Sequence, residues 1–187
     1  NQCPAASSLT LNVNFSPKQI TQDNVVEKCF KIIDETGVKA EHICLEITEH
    51  VALENTELAN AVLTKLNSRG IRLAIDDFGT GYSSLSHLQR FPYSSLKIDR
   101  SFISGAGQNE QNWHIIQTML VLARNLGMRV VAEGVETTEQ LVRLQALRCD
   151  YGQGYLFAKP MEHGDIQALL ADDTQSVDHA FAVTSQP

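Results

Sequence analysis

Short apolar strands alternate with amphipathic helices six times along this chain of 187 residues. The strands are predicted at about residues 9–15, 42–47, 71–77, 95–99, 128–133 and 151–157. The helices that follow them are predicted at about residues 23–36, 54–68, 84–89, 110–126, 138–148 and 165–171. Because the connections are short and strand-to-strand crossovers are right-handed, the alternation predicts an α/β fold with a parallel sheet.

Length and charge limit the kinds of protein that this chain can be. The alternation runs without an internal linker, so we expect one domain over residues 9–171, a linker or remnant over 1–8, and a disordered tail over 172–187. The net charge of −7 argues against binding to a nucleic-acid polymer. No apolar run reaches membrane-spanning length and the cysteines lack metal-site spacing, which favours a cytoplasmic setting, free or as part of a membrane-anchored protein.

Polar side chains recur near the carboxyl end of every predicted strand. They are Asn14, Glu46 with Glu49, Asp76 with Asp77, Lys97 with Asp99, Glu133 with Glu136, and Gln153. On five of the six strands the polar side chain lies opposite the aliphatic ones, as the two-residue period of a strand requires. Aliphatic side chains facing outer helices and polar side chains facing a shared mouth are typical of a (β/α) barrel, in which the strand ends converge on one site.

The candidate ligands at this mouth are carboxylates and an amide, with no histidine or cysteine among them. Oxygen donors select Mg²⁺, Mn²⁺ or Ca²⁺ over zinc or copper. The number of acids indicates two ions, an arrangement that recurs in phosphate-ester hydrolysis. Lys97 can stabilise charge on a phosphate or a nucleophile, and Asp99 can hold Lys97 in place.

Several of these residues have a purely structural alternative. Asn14 can be a turn former at a strand end, and Glu136 can be a helix-entry residue. Lys97 and Asp99 can form a plain ion pair, and Glu49 can hold the following glycine loop instead of binding metal. Glu46 is harder to explain in this way, because a buried carboxylate without a partner is costly.

Six segments resemble one protein family in their order and spacing. They are "LNVNFSPKQI", "LEITE", "AIDDFGTGYSSL", "LKIDRSFI", "VVAEGVET" and "YGQGYLFAKP". Together they resemble the EAL-domain family of bacterial cyclic di-GMP phosphodiesterases, from about residue 9 to residue 170. The resemblance implies a TIM-like (β/α) barrel that hydrolyses cyclic di-GMP to linear pGpG with Mg²⁺ or Mn²⁺, and with Ca²⁺ as a non-productive occupant.

The resemblance also implies a role for each matched residue. Catalytic roles are implied for Lys97, Glu133 and Asp76, and metal ligation for Asn14, Glu46, Asp76, Asp77 and Glu133. Substrate-binding or loop-positioning roles are implied for Glu49, Gly79, Thr80, Gly81, Asp99 and Gln153. The loop at residues 78–84 is implied to take part in a homodimer contact that is linked to metal occupancy. Sensory or GGDEF domains are implied elsewhere in a longer protein.

One feature of the family has no counterpart in this sequence. In the family, the Glu-Ala-Leu motif lies on a strand before the segment matched by "LNVNFS", and its glutamate is a metal ligand. A closed barrel has eight strand–helix units, whereas this sequence predicts six. We therefore expect an EAL-type domain that lacks its first two strands and exposes apolar edges unless another polypeptide segment covers them.

Two functions follow, and a third rests on the glycine loop alone. The first is a metal-dependent cyclic di-GMP phosphodiesterase, favoured by the intact acids and Lys97. The second is a catalytically degenerate cyclic di-GMP receptor or interaction module, favoured by the absent glutamate. The third is a dinucleotide-binding oxidoreductase, suggested by Gly79 and Gly81, although Ser84 stands at the third glycine position and the preceding acids would repel a pyrophosphate.

Overall fold

Six strands and seven α-helices make up the part of the chain that the computed structural model describes, residues 9–49, 57–81, 88, 91–106 and 109–171. The strands are β1 (Leu11–Asn14), β2 (Ile43–Thr48), β3 (Arg72–Phe78), β4 (Ser95–Ile98), β5 (Arg129–Glu133) and β6 (Tyr151–Gln153). The helices are α1 (Pro17–Ile20), α2 (Val25–Thr36), α3 (Glu57–Ser68), α4 (Arg100–Ala106), α5 (Glu110–Asn125), α6 (Thr138–Ala146) and α7 (His163–Ala171). The predicted linker and tail, and the helix predicted at 84–89 apart from residue 88, lie outside the described residues.

All six strands form one parallel sheet in the order in which they occur along the chain. Because each strand pairs with the next one through a right-handed crossover, successive helices cover the same face of the sheet. The sheet curls into a half-barrel, which confirms the predicted TIM-like fold class. A doubly wound dinucleotide-binding sheet would instead reverse its strand order.

Alternation along the central strands separates an apolar face from a charged one. The apolar face contributes fully buried side chains to the core, among them Ile47, Leu73, Ile75, Leu96 and Ile98. Helix residues that complete this core include Leu63, Leu66, Ile116 and Leu120. Glu46, Asp76 and Lys97 lie on the opposite face of the same strands and are buried as well. The inner face of the half-barrel therefore holds charged side chains, which require partners there.

The clearest differences from the prediction are two short α-helices and the end of the last strand. Helices α1 and α4 were not predicted, because four and seven residues are too few to show a helical period. The last strand ends at Gln153 rather than at residue 157. It ends there because Gly154 packs directly on the backbone of Val135, and the N–H of Phe157 then closes a turn onto the carbonyl of Gly154.

The apolar side chains of β1 are exposed. Leu11 is 58% exposed and Val13 is 40% exposed. Strand β1 lies at an edge of the sheet, where β2 is its neighbour among the described strands. This exposure agrees with the apolar edge expected for an open barrel.

Replacing Leu96 by alanine should lower the free energy of unfolding by about 3 kcal/mol, because the side chain is fully buried between strands and helices. The same replacement of Leu11 should cost less than about 1 kcal/mol, because water already reaches this side chain. Urea denaturation followed by circular dichroism measures both values. Equal losses would contradict the exposure of β1.

Candidate functional site

Lys97 lies at the centre of a buried cluster of acids. Its Nζ atom is 2.7 Å from Oε1 of Glu133 and 2.9 Å from both Oε2 of Glu46 and Oδ1 of Asp76. These four residues come from the adjacent strands β2, β3, β4 and β5, so parallel pairing brings them together. Only 4% of the Lys97 side chain and 3% of the Glu46 side chain are exposed, so the charges are solvated by each other rather than by water.

Burial and mutual attraction together determine the protonation of this cluster. Burial by itself would lower the pKa of Lys97, but attraction to Glu133, Glu46 and Asp76 raises it above its usual value. Lys97 is therefore a cation that donates hydrogen bonds. Burial raises the pKa values of Glu46 and Glu133, and the neighbouring ammonium opposes that rise. A further cation at this place would stabilise both carboxylates.

A bulge in β3 brings the two adjacent aspartates to the same side. The register of β3 against β4 shifts between Ile75 and Phe78, where β3 carries one extra residue. Asp77 has a left-handed backbone with φ of 53°, which is uncommon for residues other than glycine and occurs often at functional sites. In a regular strand the Asp77 side chain would face the helices. Instead, one carboxylate oxygen each of Asp76, Asp77 and Glu133 lie within 4.8 Å of one another.

The sequence contains a signal for this bulge that strand alternation alone misses. The residues of β3 that belong to the hydrophobic core are Leu73, Ile75 and Phe78, so the spacing of two residues becomes three after Ile75. An extra residue in the strand is the simplest way to keep all three side chains on the core face. The same shift turns Asp77 away from the core.

The oxygen donors of the cluster fit hard divalent cations. Oε1 of Glu46 is buried without a hydrogen-bond partner, while Oε2 accepts from Lys97. A buried oxygen without a partner is costly, and a cation would satisfy it. Burial and then repulsion from Asp76 raise the pKa of Asp77, so a cation would also favour the ionised form of this acid. An all-oxygen donor set of this kind suits Mg²⁺, Mn²⁺ or Ca²⁺.

Glu49 holds the loop that follows Asp77. Its carboxylate is buried, and Oε2 accepts hydrogen bonds from the N–H groups of Gly79 at 2.8 Å and Gly81 at 3.2 Å. Gly79 has φ of 97°, and a Cβ atom there would lie 2.5 Å from Cε of Met119, so this position requires glycine. Because a protein carboxylate occupies both loop amides, the loop is not an open cradle for a pyrophosphate, which removes the support for the dinucleotide-binding alternative.

Two further candidate residues lie beside acids of the cluster in the strand register. Asn14 of β1 pairs with Glu46 of β2, and Gln153 of β6 pairs with Glu133 of β5. Asn14 is exposed, and Gln153 is half-buried. Each residue is therefore level with an acid along the strand direction. Asn14 lies on the β1 side of the sheet and Gln153 on the β6 side.

Asp99 does not hold Lys97, contrary to the prediction. Within the described part of the chain, Asp99 forms no ion pair with that lysine. Its Oδ1 atom instead accepts hydrogen bonds from the N–H and the hydroxyl of Ser101 at the start of α4. The prediction fails because β4 ends one residue earlier, so Asp99 no longer follows the alternation of the strand. In the neighbouring loop, the hydroxyl of Thr80 donates to the carbonyl of Asp77 at 2.8 Å.

A half-barrel of parallel strands with carboxylates and a buried lysine at the carboxyl ends defines a (β/α)-barrel domain with a candidate divalent-cation site. The family model described as the EAL domain matches residues 2–160. The chain therefore belongs to the EAL-domain family, as the six sequence segments predict. In the described part of the chain, no helix combines the length and the apolarity that a membrane span would need.

Relatives among curated proteins are much longer than this chain. The cyclic di-GMP phosphodiesterase NbdA of Pseudomonas aeruginosa is 36% identical over 162 residues, which cover 87% of this chain and 21% of that protein. An uncharacterized protein of Azorhizobium caulinodans is 41% identical over 160 residues, which cover 86% of this chain and 22% of that protein. The chain thus spans about a fifth of the length of these relatives.

Solved structures of the family share the fold of this chain. The EAL domain of Mycobacterium smegmatis DcpA is 41% identical with a TM-score of 0.83, over 89% of this chain and 74% of that one. The PaMucR phosphodiesterase in complex with c-di-GMP is 35% identical with a TM-score of 0.82, over 86% of this chain and 65% of that one. A manganese and c-di-GMP complex of Klebsiella pneumoniae BlrP1 is 31% identical with a TM-score of 0.74. The match covers 80% of this chain and 38% of that one.

Replacing Lys97 by methionine should lower the free energy of unfolding by about 3 kcal/mol or more in the presence of EDTA, because three buried acids then lose the ammonium that forms ion pairs with them. Added Mn²⁺ should reduce this loss, since the ion supplies positive charge to the same oxygens. Thermal and urea denaturation with and without Mn²⁺ measure the effect. The matched control is Lys31→Met in the exposed pair with Glu35, where we expect less than about 1 kcal/mol. A Lys97 variant as stable as the wild type would contradict the central role of this ammonium.

Replacing Glu49 by alanine should speed the hydrogen exchange of the Gly79 and Gly81 amides by about tenfold or more. Each amide loses a bond to a charged acceptor, which is worth about 1.5–3 kcal/mol. Amide exchange measured by NMR gives the rates, with Glu41→Ala at an exposed position as the control. Unchanged rates at both glycines would show that Glu49 does not fix the loop.

Proposed function

We propose that the acidic cluster binds two divalent cations, Mg²⁺ or Mn²⁺, and that the chain hydrolyses cyclic di-GMP to linear pGpG. The observation that carries this proposal is the buried Lys97, which forms ion pairs with Glu46, Asp76 and Glu133 at the carboxyl ends of parallel strands. Support comes from membership of the EAL-domain family, which includes a relative named as a cyclic di-GMP phosphodiesterase. Neighbouring structures named as calcium and manganese complexes with c-di-GMP support divalent cations as a class, and we propose Ca²⁺ as a non-productive occupant.

The proposed ligands are Asn14, Glu46, Asp76, Asp77 and Glu133. When bound, the ions supply Lewis-acid activation of water and neutralise charge on the phosphate that is attacked. For three of them the proposal is supported by the bulge at Asp77, which leaves one carboxylate oxygen each of Asp76, Asp77 and Glu133 within 4.8 Å of one another. The charge of the carboxylates exceeds that of the single lysine among them, which also favours binding of further cations.

Lys97 is proposed to orient the attacking water and to stabilise negative charge as the phosphate–oxygen bond breaks. Because three acids surround it, Lys97 is a cation and acts as a donor rather than as a general base. Glu133 and Asp76 share the proposed catalytic role by holding the ammonium of Lys97 in place. Positioning roles at the substrate face are proposed for Glu49, Gly79, Thr80, Gly81, Asp99 and Gln153.

The wider context of the domain is likewise a proposal. We propose a homodimer contact around the loop at 78–84, of which residues 82–84 lie outside the described part of the chain. Sensory or GGDEF domains are proposed in a longer protein, in keeping with the small share of its relatives that this chain spans. A cytoplasmic location and the absence of a nucleic-acid polymer as partner complete the proposal.

A catalytically degenerate receptor is the second candidate. It is favoured by the exposed edge at β1, where no described strand corresponds to the Glu-Ala-Leu strand of the family. Such a receptor would bind cyclic di-GMP at the same face without forming pGpG. The two candidates therefore differ in product formation and not in nucleotide binding.

Incubation of the chain with cyclic di-GMP and Mn²⁺, followed by chromatography of the nucleotides, distinguishes the candidates. We expect pGpG from the wild type and a loss of about 100-fold or more from Glu46→Gln, because a buried charged oxygen beside Lys97 is removed. Glu35→Gln on the exposed face of α2 is the matched control and should keep the full rate.

The possible results of this experiment distinguish the enzyme, the receptor and the role of Glu46. Nucleotide binding without pGpG supports the receptor and rejects the enzyme. An unchanged rate in the Glu46 variant removes that residue from the site. Failure of the wild type to bind the nucleotide contradicts both candidates.

A further inference from the structure

The loop that follows Glu133 is fixed on two sides. On one side Gly134 has φ of 71°, and a Cβ atom there would lie 2.6 Å from Cβ of Arg100, the first residue of α4. On the other side the N–H of Val135 donates to the carbonyl of Gln153 at 2.9 Å. The loop thus lies directly between α4 and the end of β6, and its position is determined by both neighbours.

Gln140 joins this loop to α4 through both ends of its amide. Its Oε1 atom accepts hydrogen bonds from the N–H groups of Glu136 at 2.8 Å and Thr137 at 3.0 Å. With the Thr137 side chain this forms a capping box at the start of α6. Its Nε2 atom donates to the carbonyl of Ile103 in α4 at 3.2 Å, a buried bond between segments far apart in sequence.

The bond to Ile103 is not needed for capping. A capping box uses only the acceptor oxygen of the side chain, so glutamate serves as well as glutamine at this position. The carbonyl of Ile103 lies in the last turn of α4, and carbonyl groups in a last turn have no N–H four residues on within the helix to accept from. The amide nitrogen of Gln140 donates to this carbonyl and thereby couples two elements of the barrel.

These two elements are the direct continuations of the strands that carry Lys97 and Glu133. Helix α4 follows β4 after one residue, and the loop bonded by Gln140 follows β5 without interruption. A displacement between them therefore changes the 2.7 Å contact between Nζ of Lys97 and Oε1 of Glu133. We propose that Gln140 is a positioning residue that sets the placement of Glu133 against Lys97 and, through it, the affinity of the acidic cluster for divalent cations. This inference rests on the cation site of the proposed function and is independent of whether the chain hydrolyses a nucleotide.

The chain contains a second capping box that serves as a matched control. At the start of α1, Oε1 of Gln19 accepts from the N–H of Ser16 at 2.9 Å, and the Ser16 side chain accepts from the N–H of Gln19. Gln19 is exposed, and among the described residues its side-chain hydrogen bonds stay within this box. It therefore reproduces the capping function of Gln140 without the link to another helix.

The test compares Gln140→Glu with Gln19→Glu by titrating each protein with Mn²⁺ in calorimetric and EPR measurements. Glutamate at 140 keeps the capping oxygen and removes the donor to Ile103. We expect the affinity for Mn²⁺ to fall by about tenfold in the Gln140 variant and to stay unchanged in the Gln19 variant. Gln140→Met, with Gln19→Met as its control, removes the same donor without adding a buried charge and should weaken Mn²⁺ binding as well.

The outcomes separate this inference from the proposed function. If the wild type binds Mn²⁺ and both Gln140 variants, folded by circular dichroism, bind it equally tightly, Gln140 only stabilises the fold and the inference is overturned, whatever the change in Tm. If the wild type binds no Mn²⁺, the inference fails together with the cation site. If Mn²⁺ binding weakens in the Gln140 variants while the wild type forms no pGpG, the inference holds and only the proposed enzyme is rejected.

Discussion

The contact of one buried ammonium with three buried carboxylates is the interaction on which the candidate site depends. Without Lys97, the acids Glu46, Asp76 and Glu133 would face one another at the carboxyl ends of adjacent strands without a counter-charge. The ammonium opposes the rise that burial causes in the pKa values of Glu46 and Glu133, but one positive charge does not balance three acids together with Asp77. The same arrangement that stabilises the fold therefore leaves an excess of negative charge, which is the chemical reason to expect cations there.

The bulge in β3 and the carboxylate of Glu49 together place Asp77 on the charged face and hold the loop that follows it. The bulge turns Asp77 from the core face to the charged face, at the cost of a left-handed backbone at a residue that is not glycine. The chain must then leave the strand through a tight loop, and Glu49 satisfies the amides of Gly79 and Gly81 in it. Glu49 thus supports the orientation of Asp77 without any need to contact a cation itself.

The sequence predicts those parts of the structure that depend on local periodicity. The parallel sheet follows from the alternation of strands and helices with short connections, and the placement of Glu46 and Lys97 opposite aliphatic neighbours follows from a period of two residues. The sequence does not predict contacts that depend on where a strand ends or that join distant parts of the chain. The two-residue period predicts Asp99 on the same face as Lys97, but β4 ends at Ile98 between them, and Asp99 accepts a hydrogen bond from Ser101 of α4 instead. The link from Gln140 to α4 joins residues 37 positions apart, for which local spacing gives no signal.

The enzyme and the receptor make different demands on the sheet, because the acidic cluster lies on central strands while Asn14 lies on an edge strand. Lys97 and its three acids lie on β2 to β5, and each of these strands has a paired neighbour on both sides. Their arrangement therefore needs no further strand at either edge of the described sheet, and cation binding is expected from these strands together with the loops and helices that follow them. Asn14 lies on the edge strand β1 and is exposed, so its contribution depends on what covers that edge. A chain whose edge stays open can hold a cation with its central strands and still lack the full ligand set that turnover requires, so cation binding and hydrolysis must be measured separately.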